Sequence, residues 1–360
     1  MENKQIRWLN VFKVAGAIIA FLIGAGFATG QEVFQFYAAY GYQGVFGALF
    51  VFACFAYACG EFILLGYDKR MLNASDIYRY YCGRYAGCFY DFFSLAFIYM
   101  TYVVMLSGAG ATAHQYYRIS PAVGSVAMAV LSAGTVVFGL NRLVDVIAAI
   151  GPLIVVVSVA VGIGGIVMNP GGVAEGARLL ASGTLEITRV GSSWLMAGAS
   201  YVGFCVILFP AFLAALGAKS SSRREALWGT TLGAAGFTLG VLILMFGLIA
   251  CVKDLYSSDI PSLVIAERIW PSFAAVFSLF IVAGIFTTAV PLLWTVAARF
   301  AAEKTPKFWA VTVFLSAGAC FVALKLPFRQ IVNVIYGING YVGILIMVFL
   351  LAKTLGITKK

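Results

Sequence analysis

Long apolar runs separated by short polar segments recur along the whole chain. A helix that crosses the hydrocarbon core of a bilayer needs about 20 apolar residues. Runs close to that length or longer lie at about 10–38, 42–66, 88–116, 121–140, 143–168, 190–217, 226–252, 271–299, 307–324 and 329–352. Continuous runs indicate helices, because the strands of a membrane barrel alternate apolar and polar residues. The pattern predicts an all-α integral membrane protein with ten transmembrane helices, numbered 1 to 10 along the chain.

The composition agrees with this prediction and narrows the function. Hydrophobic residues make up 62% of the 360 residues and charged residues only 11%, which excludes a water-soluble domain. The net charge of +10 does not indicate a nucleic-acid partner, because no basic stripe is interleaved with aromatic residues outside the apolar runs. The lone His114 and seven cysteines without a CxxC pair show no catalytic or zinc-binding spacing. An enzyme is therefore not expected.

Lysine and arginine indicate the orientation in the membrane. When both termini are placed in the cytoplasm, most basic residues fall on the inner side, as the positive-inside rule requires. The outer side then holds only Arg118, Arg178, Arg189, Lys253, Arg268, Lys325 and Arg329. We expect a multi-pass protein of the cell inner (cytoplasmic) membrane with both termini cytoplasmic.

Helix 1 contains signals that interrupt a helix at mid-membrane. Gly24 and Gly26 each lower helix propensity by about 1 kcal/mol relative to alanine. Thr29 and Glu32 have the spacing of a capping box, in which the two side chains bond each other's backbone amides at a helix start. A helix start inside a span predicts that helix 1 stops, unwinds over residues 24–28 and restarts beside protein or a cavity. The alternative is that the glycines only let two continuous helices approach closely.

Helix 6 carries a similar segment in the second half of the chain. Residues 198–201 (Gly-Ala-Ser-Tyr) stand in helix 6 where residues 24–27 (Gly-Ala-Gly-Phe) stand in helix 1. Helices 1 and 6 each begin a group of five, and an odd number gives the two groups opposite orientations. Inverted repeats with interrupted helices at corresponding positions are typical of secondary transporters. We therefore predict a 5+5 inverted repeat with helices 1 and 6 broken: a first repeat at 1–168, an extracellular connection at 169–189 and a second repeat at 190–360.

A break in a membrane helix exposes backbone groups that bind ions. The half-helix before the break ends in unbonded carbonyls that suit a cation, and the half-helix after it begins with unbonded amides that suit an anion. Helix 8 offers the adjacent hydroxyls of Thr287 and Thr288 as further oxygen ligands. The alternative is that these hydroxyls bond carbonyls of their own helix, as is common in membrane helices.

The run from Ile23 to Glu32 and the ten-helix plan resemble the YkvI-type family of amino-acid permeases over essentially the whole chain. Helices 1, 6 and 8 are similar, more distantly, to the amino acid–polyamine–organocation superfamily with the bacterial leucine-transporter fold. In sodium-coupled proteins of that fold, carbonyls of helices 1 and 8 and two neighbouring helix 8 hydroxyls hold one sodium ion. The resemblance thus implies a sodium site formed by Ala20, Ile23, Gly284, Thr287 and Thr288.

Two departures from the superfamily bear on coupling. Proton-coupled relatives can replace the sodium ion with a lysine of helix 5, and helix 5 here has no lysine but Ser158 instead. A second sodium ion uses an asparagine directly after the helix 1 glycines in some relatives, and this chain has Phe27 there. The resemblance therefore implies one sodium ion.

Glu32 decides which solute the break favours. As a capping residue it is structural, and as a carboxylate within a span it is functional, because charge at that depth is costly unless it faces a cavity or a partner. An ionised Glu32 attracts an ammonium, although a solute carboxylate could still dock on the amides of Gly24 and Gly26. The predicted solute-binding residues are Gly24, Ala25, Gly26, Phe27, Glu32, Tyr99, Tyr102, Ala199, Ser200, Tyr201 and Phe204.

These observations predict a secondary active transporter that couples a cation, sodium first, to symport of a small amine or amino-acid-like solute by alternating access. Its partners are then the small-molecule solute and the lipid bilayer, with no protein partner inferred, and it has no cofactor apart from the coupling ion. One alternative is a proton-coupled permease in which Glu32 or Glu61 carries the proton. Another is a non-transporting membrane receptor of the same fold that senses a nutrient.

Overall fold

The chain is helical throughout its described part. A computed structural model describes residues 6–138 and 143–357, and these residues contain helices and turns but no strand. In chain order the helices are α1 (Trp8–Leu22), α2 (Ala25–Thr29), α3 (Gln31–Phe36), a 3₁₀ turn (Ala38–Tyr40), α4 (Gln43–Lys69), α5 (Ala74–Tyr117), α6 (Pro121–Phe138), α7 (Leu143–Met168), α8 (Gly172–Ser182), α9 (Trp194–Lys219), α10 (Arg223–Ala250), α11 (Val252–Leu255), α12 (Pro261–Ile269), α13 (Pro271–Phe300), α14 (Pro306–Ala323) and α15 (Phe328–Thr354). The predicted all-α class is confirmed.

Eight of the described helices are long and apolar enough to cross a membrane. They are α4, α5, α6, α9, α10, α13, α14 and α15. The chain is thus a multi-pass membrane protein. Helix 5 corresponds to α7, whose outer part is bent by 94° from α8, and helix 1 corresponds to the series α1, α2 and α3. Counting each of these as one span gives the predicted ten, and that total and the inverted repeat stay predictions.

Helix 1 is broken, and the break has two parts. The helix ends at Leu22, because Ile23 (φ −91°, ψ 84°) and Gly24 (φ −94°, ψ −166°) are not helical. The chain then forms α2 and turns again at Gly30, whose φ of 78° lies in the left-handed region that favours glycine. The prediction of a break is therefore confirmed.

The predicted details of the break are wrong in two respects. Residues 25–28 are helical in α2, so the chain is unwound at Ile23 and Gly24 and not over residues 24–28. Thr29 and Glu32 form no capping box. Thr29 is the last residue of α2, and its hydroxyl donates to the Gly26 carbonyl at 2.8 Å. The left-handed turn at Gly30 separates Thr29 from α3, which starts without a side-chain cap.

Helix 6 is not broken, contrary to the prediction. It corresponds to α9, which runs without interruption from Trp194 to Lys219 and keeps Pro210 in its interior. Its glycines serve close packing: a Cβ on Gly198 would lie 3.2 Å from Phe50 of α4, and one on Gly203 would overlap the backbone of α15 at Gly340. The alternative given above for glycine in membrane helices applies here.

Two short helices, α8 and α12, lie outside the spans. The α8 helix lies within the connection predicted at 169–189. The α12 helix begins with Pro261 at its first turn, and its Ser262 is close to the break: a Cβ on Gly30 would lie 3.0 Å from the Ser262 amide nitrogen. This contact places α12 directly against the turn between α2 and α3.

Candidate functional site

The break in helix 1 lies beside the threonine pair of α13. A Cβ placed on Gly24 would be 4.0 Å from Thr288 Oγ1, and α2 packs against α13. Thr287 Oγ1 donates to the Gly284 carbonyl at 3.0 Å, and Thr288 Oγ1 donates to the same carbonyl at 2.8 Å. The alternative that both hydroxyls bond their own helix is therefore observed. A hydroxyl that donates its proton keeps oxygen lone pairs, so this bonding gathers three oxygens without excluding a cation.

The inner half of helix 1 supplies further oxygens on the same side of the break. The last helical bond of α1 runs from the Ile23 amide to the Ile19 carbonyl at 2.9 Å. The carbonyls from Ala20 to Ile23 therefore have no later amide of α1 to bond. Carbonyl and hydroxyl oxygens are the ligands that hard cations prefer. The five residues of the predicted sodium site thus have suitable chemistry, and Gly24 and Thr288 are adjacent.

Glu32 is buried on the other side of the break. Its side chain is 7% exposed, and a Cβ added to Gly26 would overlap its carboxylate. The carboxylate therefore folds back against α2. It interacts electrostatically with Tyr37, Tyr201, Cys205 and Tyr336, which are neutral polar groups.

Aromatic rings surround this carboxylate. We call the set Phe36, Tyr37, Tyr201, Phe204 and Tyr336 the ring cluster. Tyr201 is central: its ring centroid lies 5.1 Å from that of Phe36, 5.2 Å from Tyr37 and 4.7 Å from Phe204. Phe204 stacks on Tyr336 at 4.7 Å. The cluster joins α3, α9 and α15 around Glu32.

Several buried polar atoms here lack hydrogen-bond partners. They include the Tyr37 and Tyr201 hydroxyls, both amide atoms of Gln31 and the Ser262 hydroxyl. The Tyr201 hydroxyl faces Glu32 without reaching hydrogen-bond geometry. Buried polar groups are almost always bonded in folded proteins, so such a concentration needs an explanation. A polar guest held between Glu32 and the tyrosines supplies one.

The predicted solute-binding residues separate into two groups. Glu32, Gly24, Gly26, Tyr201 and Phe204 lie at the break or in the ring cluster, as expected. Phe27 is fully buried and its ring lies 6.1 Å from that of Phe237 on α10. The side chain of Ala25 lies outside the described residues.

Four other predicted residues lie on α9 and α5, and three of them bond other helices. Ser200 donates to the Gly337 carbonyl of α15 at 3.0 Å, and Ala199 is half-buried next to it on α9. Tyr99 donates to the Leu315 carbonyl of α14 at 2.9 Å. The Tyr102 hydroxyl lies 2.7 Å from that of Ser132 and 2.8 Å from that of Ser316. Tyr99 and Tyr102 do share a face of α5, and their hydroxyls bond α14 and α6, so the structure does not bring these two hydroxyls to the break.

Sequence reasoning missed four residues of the site. Tyr37 follows Glu32 by five positions, so its closeness to the predicted break was a signal in the sequence. Cys205 stands one turn after Tyr201 on α9, where helical periodicity places both on one face. Phe36 and Tyr336 had no local signal, because rings in apolar runs are common and only the folded arrangement selects these two.

Hydrogen bonds join α3 to the start of α15 beside the site. Gln35 of α3 donates to the Arg329 carbonyl at 2.9 Å and accepts from Asn333 at 2.9 Å. The Arg329 amide donates to Asp259 at 3.4 Å. Burial raises the pKa of Asp259 above its ordinary value, against the opposing effect of Arg329. These bonds connect α3, α15 and the segment before α12.

A second set of hydrogen bonds joins the start of α1 to α10. The Glu225 carboxylate, almost fully buried at the start of α10, accepts from the Arg7 amide at 2.9 Å and from the Asn10 side chain at 3.0 Å. Arg7 is the residue before α1, so the carboxylate bonds an amide at the helix start, where negative charge is favourable. The inner half of helix 1 is thus fixed to α10.

These features define a multi-pass membrane protein whose first span is interrupted beside a buried polar site. Among the described residues, no three His, Cys, Asp or Glu side chains are grouped as metal ligands would be. No protein-family model matches the chain.

Comparison with known proteins gives one relative and a shared fold. The chain is 23% identical over 344 residues to the uncharacterized membrane protein YkvI of Bacillus subtilis (strain 168), covering 95% of both chains. It superposes on a crystal structure of the Eremococcus coleocola manganese transporter with a TM-score of 0.59 and 15% identity, over 98% of this chain and 80% of that one. A Na⁺-coupled sialic acid symporter in a substrate-bound outward-open state gives a TM-score of 0.56 and 12% identity, over 94% and 78%. The resemblance to YkvI is confirmed, and the fold is that of known transporters.

Proposed function

We propose that this chain is a sodium-coupled secondary transporter that carries a small amine or amino-acid-like solute by alternating access across the cell inner membrane, with both termini cytoplasmic. The observation that carries the proposal is Glu32: a buried carboxylate beside a broken helix, among unpartnered tyrosine hydroxyls. A carboxylate at this depth is retained when it has a cationic partner. A solute ammonium is such a partner.

The threonine pair supports sodium as the coupling ion. A cation held between the α1 carbonyls and the hydroxyls of Thr287 and Thr288 joins helix 1 to α13 across the break. When sodium stabilises the conformation that binds the solute, the sodium gradient drives solute uptake, because binding free energies of the two ligands are reciprocal. The fold shared with a Na⁺-coupled symporter agrees with this proposal.

Manganese, which one structural neighbour carries by name, is less well supported as cargo. Among the described residues, the break lies beside one carboxylate and several neutral hydroxyls, with no cluster of metal-ligating side chains. An organic cation matches that set better than a divalent metal ion does. A divalent ion prefers several oxygen ligands, of which more than one is negatively charged.

Uptake into proteoliposomes tests the proposal. We expect accumulation of radiolabelled amines or amino acids under an inward sodium gradient, and its loss when the hydroxyls of both threonines are removed by Thr287→Val with Thr288→Val. Thr295→Val is the matched control, because Thr295 makes the same kind of bond, to Pro291, further along α13. Equal uptake in sodium-free vesicles without a proton gradient would rule out sodium coupling.

Proton coupling is the second candidate, and Glu32 favours it, because a carboxyl group without a buried basic neighbour is suited to carry a proton. Sodium-independent uptake driven by a pH gradient, and abolished by Glu32→Gln, would select it. Glu61 is the other candidate carrier, and its carboxylate accepts from Tyr81 at 3.3 Å. Ligand binding without counterflow would instead indicate a receptor.

A further inference from the structure

We infer that the solute is an organic amine with one positive charge and no carboxylate, bound between Glu32 and the ring cluster. This inference rests on the proposed transport function and makes its solute class narrower. It excludes α-amino acids, which the proposed function leaves open, and it also excludes diamines.

The first argument is the distribution of buried charge. Among the described residues, the charged side chains that are buried are Glu32 and Glu225, and no lysine or arginine is buried. Glu225 bonds Arg7 and Asn10 at the start of α1. The groups that interact with Glu32 are Tyr37, Tyr201, Cys205 and Tyr336. The site therefore offers a solute one ionisable carboxyl group and no positive side chain that could pair with a solute carboxylate.

The second argument is the position of the carboxylate on the broken segment. The Gly24 and Gly26 amides are the backbone groups on which a solute carboxylate could dock, and the Glu32 side chain covers Gly26. A solute carboxylate at these amides would lie beside Glu32. Two like charges brought together in an interface repel each other and weaken binding. Glu32 thus takes the place that the carboxylate of an amino acid would need.

The third argument is the chemistry of the remaining walls. The ring of Phe204 stacks on that of Tyr336 and meets that of Tyr201 edge to face. Aromatic faces attract an ammonium group while tolerating an apolar body. The unpartnered hydroxyls of Tyr37 and Tyr201 can accept the remaining N–H bonds of a primary amine. Since Glu32 is the single buried carboxylate of the described site, a second ammonium on the solute would stay unpaired.

Three small compounds that differ by one charged group test the inference. Butylamine, norvaline (butylamine with an α-carboxylate) and putrescine (butylamine with a second ammonium) are titrated into the purified wild-type protein in sodium-containing buffer, and binding is followed by calorimetry. Phenethylamine and phenylalanine form a second pair with a larger apolar body. We expect butylamine to bind at least roughly tenfold more tightly than norvaline or putrescine, and phenethylamine to bind more tightly than phenylalanine by the same factor. Glu32→Gln should remove this preference, whereas Tyr102→Phe, which lies outside the site, should keep it.

The possible results separate this inference from the transport proposal. Norvaline or phenylalanine binding as tightly as the matching amine would overturn the inference, as would equal binding of putrescine or no binding of any amine. Amino-acid uptake under a sodium gradient would then leave the transport proposal intact. Tight, selective amine binding without uptake under any gradient would support the binding site and overturn transport.

Discussion

Two fully buried tyrosines, one on α5 and one on α9, show that the neighbours of a hydroxyl decide its role. Tyr102 is fully buried with its hydroxyl between Ser132 and Ser316, and it connects α5, α6 and α14. Tyr201 is equally buried, yet its hydroxyl has no partner and faces Glu32. The first hydroxyl stabilises the fold, whereas the second is available to a ligand.

Removing each hydroxyl should therefore have opposite consequences. Tyr102→Phe should lower the free energy of unfolding by about 1 kcal/mol, the usual net value of a buried hydrogen bond, and leave solute binding unchanged. Tyr201→Phe should leave stability unchanged, because no bond is lost, and weaken amine binding. Thermal unfolding and ligand titration of both variants in the same detergent check this. A large loss of stability in Tyr201→Phe would show that its hydroxyl is structural.

Gly26 has a steric role that an alanine scan can measure. A Cβ at this position would overlap the Glu32 carboxylate, so Gly26→Ala should displace the side chain of Glu32 and abolish solute binding. Gly16→Ala on α1 is the matched control, because a Cβ at Gly16 meets no atom within 4 Å and should only favour the helix, by up to about 1 kcal/mol. Solute binding by each purified variant gives the comparison. Normal binding by Gly26→Ala would contradict the observed position of Glu32.

At the scale of helices, the carboxylate of Glu225 bonds the start of α1 to α10. Glu225 bonds the amide at the start of α1 and the Asn10 side chain, while Ser221 accepts from the exposed Arg7 guanidinium at 2.8 Å. Bonds to a buried charged group contribute more than exposed ones. Any movement of the start of α1 away from α10 must break the Glu225 contacts.

Loss of this carboxylate should loosen α1 without unfolding the protein. Glu225→Ala removes a charge-assisted bond, which typically contributes about 1.5–3 kcal/mol, so amide exchange over residues 8–14 should become at least about tenfold faster. Ser221→Ala should change it far less, because only an exposed bond is lost. Hydrogen exchange followed by mass spectrometry measures both. Equal exchange in the two variants would show that Glu225 does not control the inner half.

The helices also show what sequence patterns can and cannot predict. The break in helix 1 was predictable from its closely spaced glycines. In the structure, close packing does not require a glycine at position 24, and Gly30 adopts a conformation that disfavours other residues. The same type of segment in α9 is continuous, because Gly198 and Gly203 allow close contact with α4 and α15. Glycine signals both breaks and close packing, and only the neighbouring helices distinguish the two. The ring cluster was partly hidden for the same reason: Tyr336 comes from α15, about 300 positions after Glu32.

At the scale of the whole molecule, the broken helix is bonded to other helices at both of its ends. Gln35 joins α3 to Arg329 of α15, whose amide bonds Asp259, and Glu225 joins the start of α1 to α10. Between these bonds, Gly24 lies beside Thr288 of α13. The proposed alternating access requires these bonds to open in turn, so a ligand bound at the break should stabilise the state in which they are formed.

Sodium bound at the break should therefore stabilise the whole protein, not only one loop. A ligand that binds only the folded state adds RT ln(1 + [L]/Kd), about 2.7 kcal/mol at a hundredfold excess over Kd. Sodium chloride should raise the Tm in detergent, whereas choline chloride at equal ionic strength should not. The variant with both Thr287→Val and Thr288→Val should lose this shift, and Thr295→Val should keep it, since Thr295 bonds the Pro291 carbonyl in the same way but lies beyond the break. An equal shift with choline would show that the effect is not specific to sodium, and a shift that persists in the double variant would place sodium elsewhere. Either result would leave proton coupling through Glu32 as the better account of the driving force.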